Sequence, residues 1–432
     1  MKRRHALLLI LWLSVACIAT SRADEADDLA AMIDRHVSAR WLEQKIEPAA
    51  VASDAEFLRR VWLDLGGRIP TAGQAREFLE DARADKRLRL IDELLDSGAF
   101  VGHFTRTWRE AWLPKQDTDR FPAYAARFDD FLRDRLRRGA PYDQIVREII
   151  TSPTEAAAAR DLLDGRSGWP TSLGFFEANE RKPETIAASA AKDFLGVRID
   201  CAQCHDHPFG AWKRDQFWQL AAFFSDDRTD RAPSIKIPEL GRVVPARFLD
   251  GQPPRWSDTD EPNERVAREV LAEWITSPSN PFFAKAAVNR VWAHCFGVGL
   301  VEPVDDMNAA NGPSHPQLLD DLARSFVEHR FDLKFLLRGI LRSRAYFLTS
   351  RRSHESQDNP ADFARMSVKA LTAEQLFDSV MRATGYSAAD LPNHPRERRD
   401  IRAEFLARFA TTERPVEATT SIPQALTRMN GA

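Results

Sequence analysis

Beyond residues 1–23 the sequence has no long apolar run, so no further segment is suited to span a bilayer. Glycine and tyrosine are scarce, with 19 and 4 copies in 432 residues, beside 26 phenylalanines and 11 tryptophans. Little glycine with abundant Ala, Leu, Arg, Asp and Glu leans the chain towards helix. Neither G-x-G-x-x-G nor a P-loop is present, and candidate strands are too sparse for a Rossmann sheet. No serine sits in a G-x-S-x-G context, so a serine hydrolase of that kind has no support. Four cysteines are too few for a disulfide framework in a chain of this size. No repeat of solenoid period is present.

The N-terminus reads as a targeting segment. "MKRRH" is a basic n-region, "ALLLILWLSVACIA" an apolar h-region, and "SRA" supplies small residues before a cleavage point after Ala23. The alternative is a lipoprotein signal ending at Cys17, since "LSVAC" loosely resembles a lipobox, and it is the only route to membrane association that the sequence suggests. Either way the protein is expected to be exported, to the periplasm or cell envelope. Loss of residues 1–23 removes four basic residues and no acid, which leaves 57 Lys and Arg against 64 Asp and Glu. A mild acidic excess argues against nucleic acid as a partner. Composition is otherwise that of a globular chain, 44% hydrophobic and 29% charged, long enough for two or three domains.

Apolar periodicity and stop signals predict a mainly α protein of two helical domains, joined by a Pro/Gly-rich linker with a small β-hairpin. The predicted boundaries are 26–228, 229–259 for the linker and 260–432. Phe57, Val61, Trp62 and Leu65 recur at helical spacing before Gly66 and Gly67 stop that helix. Asp64 and Arg68 are placed to pair at its end. Thr71 and Gln74 form a capping-box pattern. Amphipathic segments follow near 86–96, 103–113, 122–138 and 142–151, and a helix from about 184 ends at Gly196. "SIKIPEL" and "GRVVPARFL" are the hairpin candidates. Asn280-Pro281 opens a helix carrying Val288, Val291, Trp292 and Cys295. Ser314 and Gln317 are read as the cap of the next one.

The stretch "CAQCHDHPF", residues 201–209, carries the chemistry. C-x-x-C-H is the spacing of covalent haem attachment: Cys201 and Cys204 on one helical turn anchor the porphyrin, and His205 lies under the iron as axial ligand. With four Cys and ten His, a chance match is expected on the order of once in a thousand such chains. Cys201, Cys204, His205 and His207 are also a chelating set that suits zinc, and a Cys201–Cys204 disulfide is the plain alternative. Pro208 biases His207 away from helix. Met307, His294 and His315 are the candidates for a sixth haem ligand, an open sixth position being the other reading. Asp305 and Asp306 form an adjacent carboxylate pair with weak catalytic potential. Cys295, on an apolar face, reads as a buried thiol. The expected cofactor is haem c, with zinc as the alternative. The expected role is electron transfer or haem-based redox chemistry in the envelope, through a redox partner that the sequence does not identify. A non-redox binding or scaffold protein with a structural metal is the second reading, and a hydrolase the third.

"FLRRVWLDLGGRIPTAGQAREFL", "DFLGVRIDCAQCHDHPFGAWKRDQFWQLAAFF" and the long segment from "NPFFAKAAVNRVWAHCFGVGL" to "RAYFLTS" resemble paired planctomycete-type domains of unknown function. The first is cytochrome-c-like (PSCyt-type), over about 26–228, and the second is PSD-type, over about 260–430. The resemblance implies an exported protein. Relatives often carry an additional cytochrome c domain near the N-terminus, which is not found here. "RFATTERPVEATTS" stands where relatives often have a cysteine-containing stretch, so a second site there is not expected.

Overall fold

The structure is a computed structural model that describes residues 25–113, 122–152, 171–208, 210–229, 232–256, 264–386 and 395–409. The targeting segment, Cys17 and the last residues of the chain lie outside them.

Helix α1 covers residues 25–43. It is followed by α2 (Asp54–Gly66), α3 (Ala72–Glu80), α4 (Lys86–Leu95) and α5 (Gly98–Trp112). Next come α6 (Pro122–Arg137), α7 (Tyr142–Ile150), the short α8 (Gly174–Ala178), α9 (Pro183–Leu195) and α10 (Arg214–Ala221). A three-stranded antiparallel sheet, in the order β1 (Arg228–Thr229), β2 (Ala232–Lys236) and β3 (Val243–Pro245), interrupts the helices. Helices resume with α11 (Glu264–Ile275), α12 (Phe283–Phe296), α13 (Pro316–Glu328), α14 (Leu333–Arg342), α15 (Arg344–Phe347), α16 (Ala373–Ala383) and α17 (Pro395–Phe409). The chain is mainly α, as its composition predicts.

The local stop and start signals act as their chemistry dictates. Ser53 caps α2 by accepting from the Glu56 N–H, and Gly67 ends it at φ +67°, a left-handed conformation that glycine adopts without strain. Thr71 and Gln74 close a reciprocal capping box on α3. Asn280 starts α12 by accepting from the N–H groups of Phe282 and Phe283. The hairpin segments pair as β2 and β3, with Ile235 opposite Val244 and both buried. β1 extends the sheet by one short strand that no alternation in "DRT" announced.

Two sequence expectations are corrected. Asp64 does not pair with Arg68: the left-handed Gly67 turns the chain off the helix axis, and Asp64 instead holds Lys369 at 2.6 Å. Ser314 and Gln317 do not cap a helix. α13 starts at Pro316 behind His315, and Ser314 uses its N–H on the Leu300 carbonyl.

The described residues fall into two compact units. One takes the chain up to His103, then Trp292–Val298, then the part from Phe335 onwards. Its core gathers Phe57, Trp292, Phe296, Tyr346 and Phe363 in edge and stacked contacts. Close packing of α1 on α14 uses Gly339, where any Cβ would fall 2.4 Å from a Leu29 methyl. Here His294 Nε2 lies 2.7 Å from the Asp64 carbonyl, which ties α12 to α2. The other unit is Phe104–Val291 with Gly299–Lys334. Its core is aromatic, built from Trp108, Trp112, Phe128, Tyr142, Phe194, Phe283 and Phe326.

Candidate functional site

The Cys-His stretch lies in the second unit, directly after α9. Gly196 caps α9 at φ +66°, and a buried-exposed alternation then sets the loop. Val197, Ile199 and Ala202 are buried, whereas Cys201, Cys204 and His205 are exposed. Residues Asp200–Gln203 form one turn of 3-10 helix, and Cys204 follows with helical dihedrals. In that geometry side chains at i and i+3 eclipse, so the two thiols stand on one side of the turn. Both are free.

A set of local bonds fixes the loop. Trp218 on α10 donates its indole N–H to the Gln203 carbonyl at 3.0 Å. Asp206 accepts from the Arg214 N–H and faces Lys213 Nζ, each at 3.0 Å, and these two partners hold its carboxyl below the usual range. His207 donates its backbone N–H to the Trp212 carbonyl, and its Nδ1 accepts from the Gly210 N–H, each at 2.8 Å. His205 Nδ1 lies 2.8 Å from the carbonyl of Asp206. Donation of that ring N–H to a carbonyl leaves Nε2 as the lone-pair nitrogen, the tautomer that ligating histidines adopt.

The donor set can be tested against both expected groups. Haem attachment needs two accessible thiols on one side of a turn and an imidazole with a free nitrogen, and Cys201, Cys204 and His205 meet this. A porphyrin also needs an apolar cavity beside its attachment turn, and the pocket formed by the same loop is lined by Ala211 and Trp212, not by the cysteines or His205. A chelate needs its ligands to converge. Among the described residues no three of His, Cys, Asp and Glu stand together in a group that could hold a metal ion. His207 turns its Nδ1 to the loop backbone.

The remaining sequence candidates are placed as follows. His294 belongs to the other unit, with Nε2 engaged on the Asp64 carbonyl; burial and the neighbouring Lys369 lower its pKa. His315 is buried with Nδ1 3.1 Å from Ser314 Oγ. Met307 donates its backbone N–H to Gly196 and lines the pocket just mentioned. Asp305 receives Arg198 at 2.9 Å, and Asp306 receives the Asn308 amide at 2.9 Å, so both carboxylates are engaged in holding their loop. Cys295 is fully buried, and burial pushes its thiol pKa up.

A family model named PSCyt2, a protein of unknown function (DUF1549), matches residues 32–229, and a second, PSD1, a protein of unknown function (DUF1553), matches residues 267–403. The chain is a tandem PSCyt2–PSD1 protein. No curated protein and no solved structure matches it. The PSCyt2 segment holds the whole Cys-His loop. The PSD1 segment supplies Met307, His294, His315 and the Asp305–Asp306 pair. The pocket draws Ala211 and Trp212 from PSCyt2 and its other walls from PSD1, all within one compact unit. Sequence reading missed this pocket. Its signals were the tryptophan of "FGAWK", placed next to a loop already singled out, and Met307, which the sequence presents only as a candidate haem ligand.

Proposed function

We propose that this PSCyt2–PSD1 protein is an exported c-type haem protein with a redox role in the cell envelope. Cys201 and Cys204 would carry the thioether bonds and His205 Nε2 would hold the iron. The observation that supports this most directly is the pairing of two exposed, unbonded thiols on one turn with an imidazole whose Nδ1 is already committed. A bound haem supplies one-electron transfer. The chain's own part is to fix the turn through Trp218 and Asp206 and to orient the His205 ring. Export rests on the N-terminal segment, which fits the compartment where such attachment is made. No described helix is long and apolar enough to cross a membrane.

The test is expression in a host that matures c-type cytochromes, followed by a reduced absorption spectrum before and after denaturation. The expected result is one haem per chain, with an α-band that survives unfolding and extraction. Cys201→Ala with Cys204→Ala should abolish it. His205→Ala should damage haem content far more than His207→Ala. Elemental analysis that finds about one zinc and no iron, with both histidine variants equally destabilised, would overturn the proposal in favour of a structural chelate.

A further inference from the structure

The pocket beside the Cys-His loop has a volume of about 500 Å³, within the range of small-molecule sites. Three parts of the second unit form it: the loop at Ala211 and Trp212, the start of α12, and the segment from Val301 to α13. Trp212 and Phe282 make an aromatic corner, with ring centroids 6.1 Å apart and planes at 57°. Both residues are half-buried, while Leu319 on the same wall is 2% exposed. The thioether of Met307 adds a soft, polarisable surface. A concave, mostly apolar pocket with aromatic walls and a few polar groups is the usual form of a small-molecule site.

The polar groups narrow the class of ligand. Lys285 and Asp320 face each other at 2.5 Å, so they present a neutral pair to the pocket. A charged ligand would meet attraction from one and repulsion from the other at nearly the same distance. An uncharged oxygen can instead use one of the two ammonium hydrogens that Asp320 leaves over. The Trp212 indole N–H has no hydrogen bond among the described residues and is a second donor of the same kind.

We propose that this pocket binds an uncharged aromatic small molecule that carries an oxygen hydrogen-bond acceptor. The site does not depend on haem, so its test is separate from that of the redox reading. 2-Naphthol is the probe, with 2-naphthoate as its charged counterpart, each equilibrated by dialysis at pH 7 with the full chain lacking its targeting segment. The expected Kd for 2-naphthol lies below about 1 mM. It should weaken by about tenfold or more in Trp212→Ala, and 2-naphthoate should bind about tenfold more weakly than 2-naphthol. A second measurement avoids reliance on that variant's folding. In an NMR spectrum of the ¹⁵N-labelled wild type, the indole signal assigned through Trp212→Phe should shift on addition of 2-naphthol. No binding up to that concentration, unchanged affinity in a folded Trp212→Ala, or an unmoved Trp212 signal would overturn the site. Equal affinity for 2-naphthoate would overturn the uncharged class.

Discussion

Asp193 is the carboxylate whose charge is hardest to accommodate. It is 2% exposed on α9, and Lys192 Nζ sits 3.3 Å from Oδ1. Burial raises its pKa to about 6, against the lowering pull of Lys192 and Arg290. The folded state therefore binds this proton more tightly than the unfolded chain does, and stability falls as pH rises from about 4 to about 6. Asp193→Asn should stabilise the protein by up to about 3 kcal/mol at pH 8 and by much less at pH 4, where the folded state keeps its proton and the unfolded chain is only about half ionised. Urea unfolding at the two pH values measures this, and equal or lower stability of the variant at pH 8 would refute it. The Asp64–Lys369 pair is the opposite case, a buried charge that is fully met. Asp64 Oδ2 accepts from the Tyr346 hydroxyl at 2.8 Å, and Lys369 also donates to the carbonyls of His294 and Cys295, each at 2.9 Å. Lys369→Met should cost about 3–5 kcal/mol because it strands the carboxylate. Adding Asp64→Leu to that variant should recover part of the loss. Strictly additive losses in a double-mutant cycle would show that the pair is not coupled.

Among the elements, those set by local chemistry were mostly legible and those set by distant partners were not; the Ser314–Gln317 cap is the local exception, since α13 starts at Pro316 behind His315. The Thr71 and Asn280 caps, the glycine stops and the single turn at the Cys-x-x-Cys stretch depend on residues a few positions apart, which sequence shows directly. The partner of Asp64 lies 305 residues away, and proximity in the chain favoured Arg68 instead. The site divided in the same way. Cys201, Cys204 and His205 were recognised by spacing alone, whereas the pocket's residues come from three stretches that only the tertiary fold gathers. Gly196 shows how an element end can serve both levels. Its φ of +66° stops α9, and a Cβ there would meet the Ala286 Cβ at 3.0 Å. Gly139 has φ +64° but open space around it. Gly139→Ala should therefore cost about 1–2 kcal/mol, from backbone strain alone, and Gly196→Ala measurably more. Equal losses in thermal or urea melts would mean that α9 and α12 yield to the added methyl.

For the molecule as a whole, the family segments and the compact units divide the chain differently. PSCyt2 and PSD1 follow each other in sequence, yet the first unit is completed by residues from both. Arg60 on α2 donates to the carbonyls of Tyr346 and Leu348, at 2.6 and 2.9 Å. Trp41 on α1 donates its indole N–H to the Asp362 carbonyl at 2.8 Å. Backbone bonds join Ala52 to Phe347 and Thr349 to Ala50, and Val51 bridges Leu348. A fragment that ends at residue 259 would leave these backbone and side-chain groups of α1 and α2 unpaired and would uncover Phe57 and Leu29, which are buried at 0% and 3% exposure. Buried polar groups stripped of partners and a core opened on one side each cost several kcal/mol, comparable to the total stability of a domain. Residues 24–259 expressed alone should therefore lack a cooperative thermal transition and be degraded rapidly in limited proteolysis. Co-expression with residues 260–432 should restore both the transition and the resistance. If the 24–259 fragment alone melts cooperatively, the long-range bonds between α1–α2 and the stretch 346–362 are dispensable for folding, and the sequence segments would be independent domains after all.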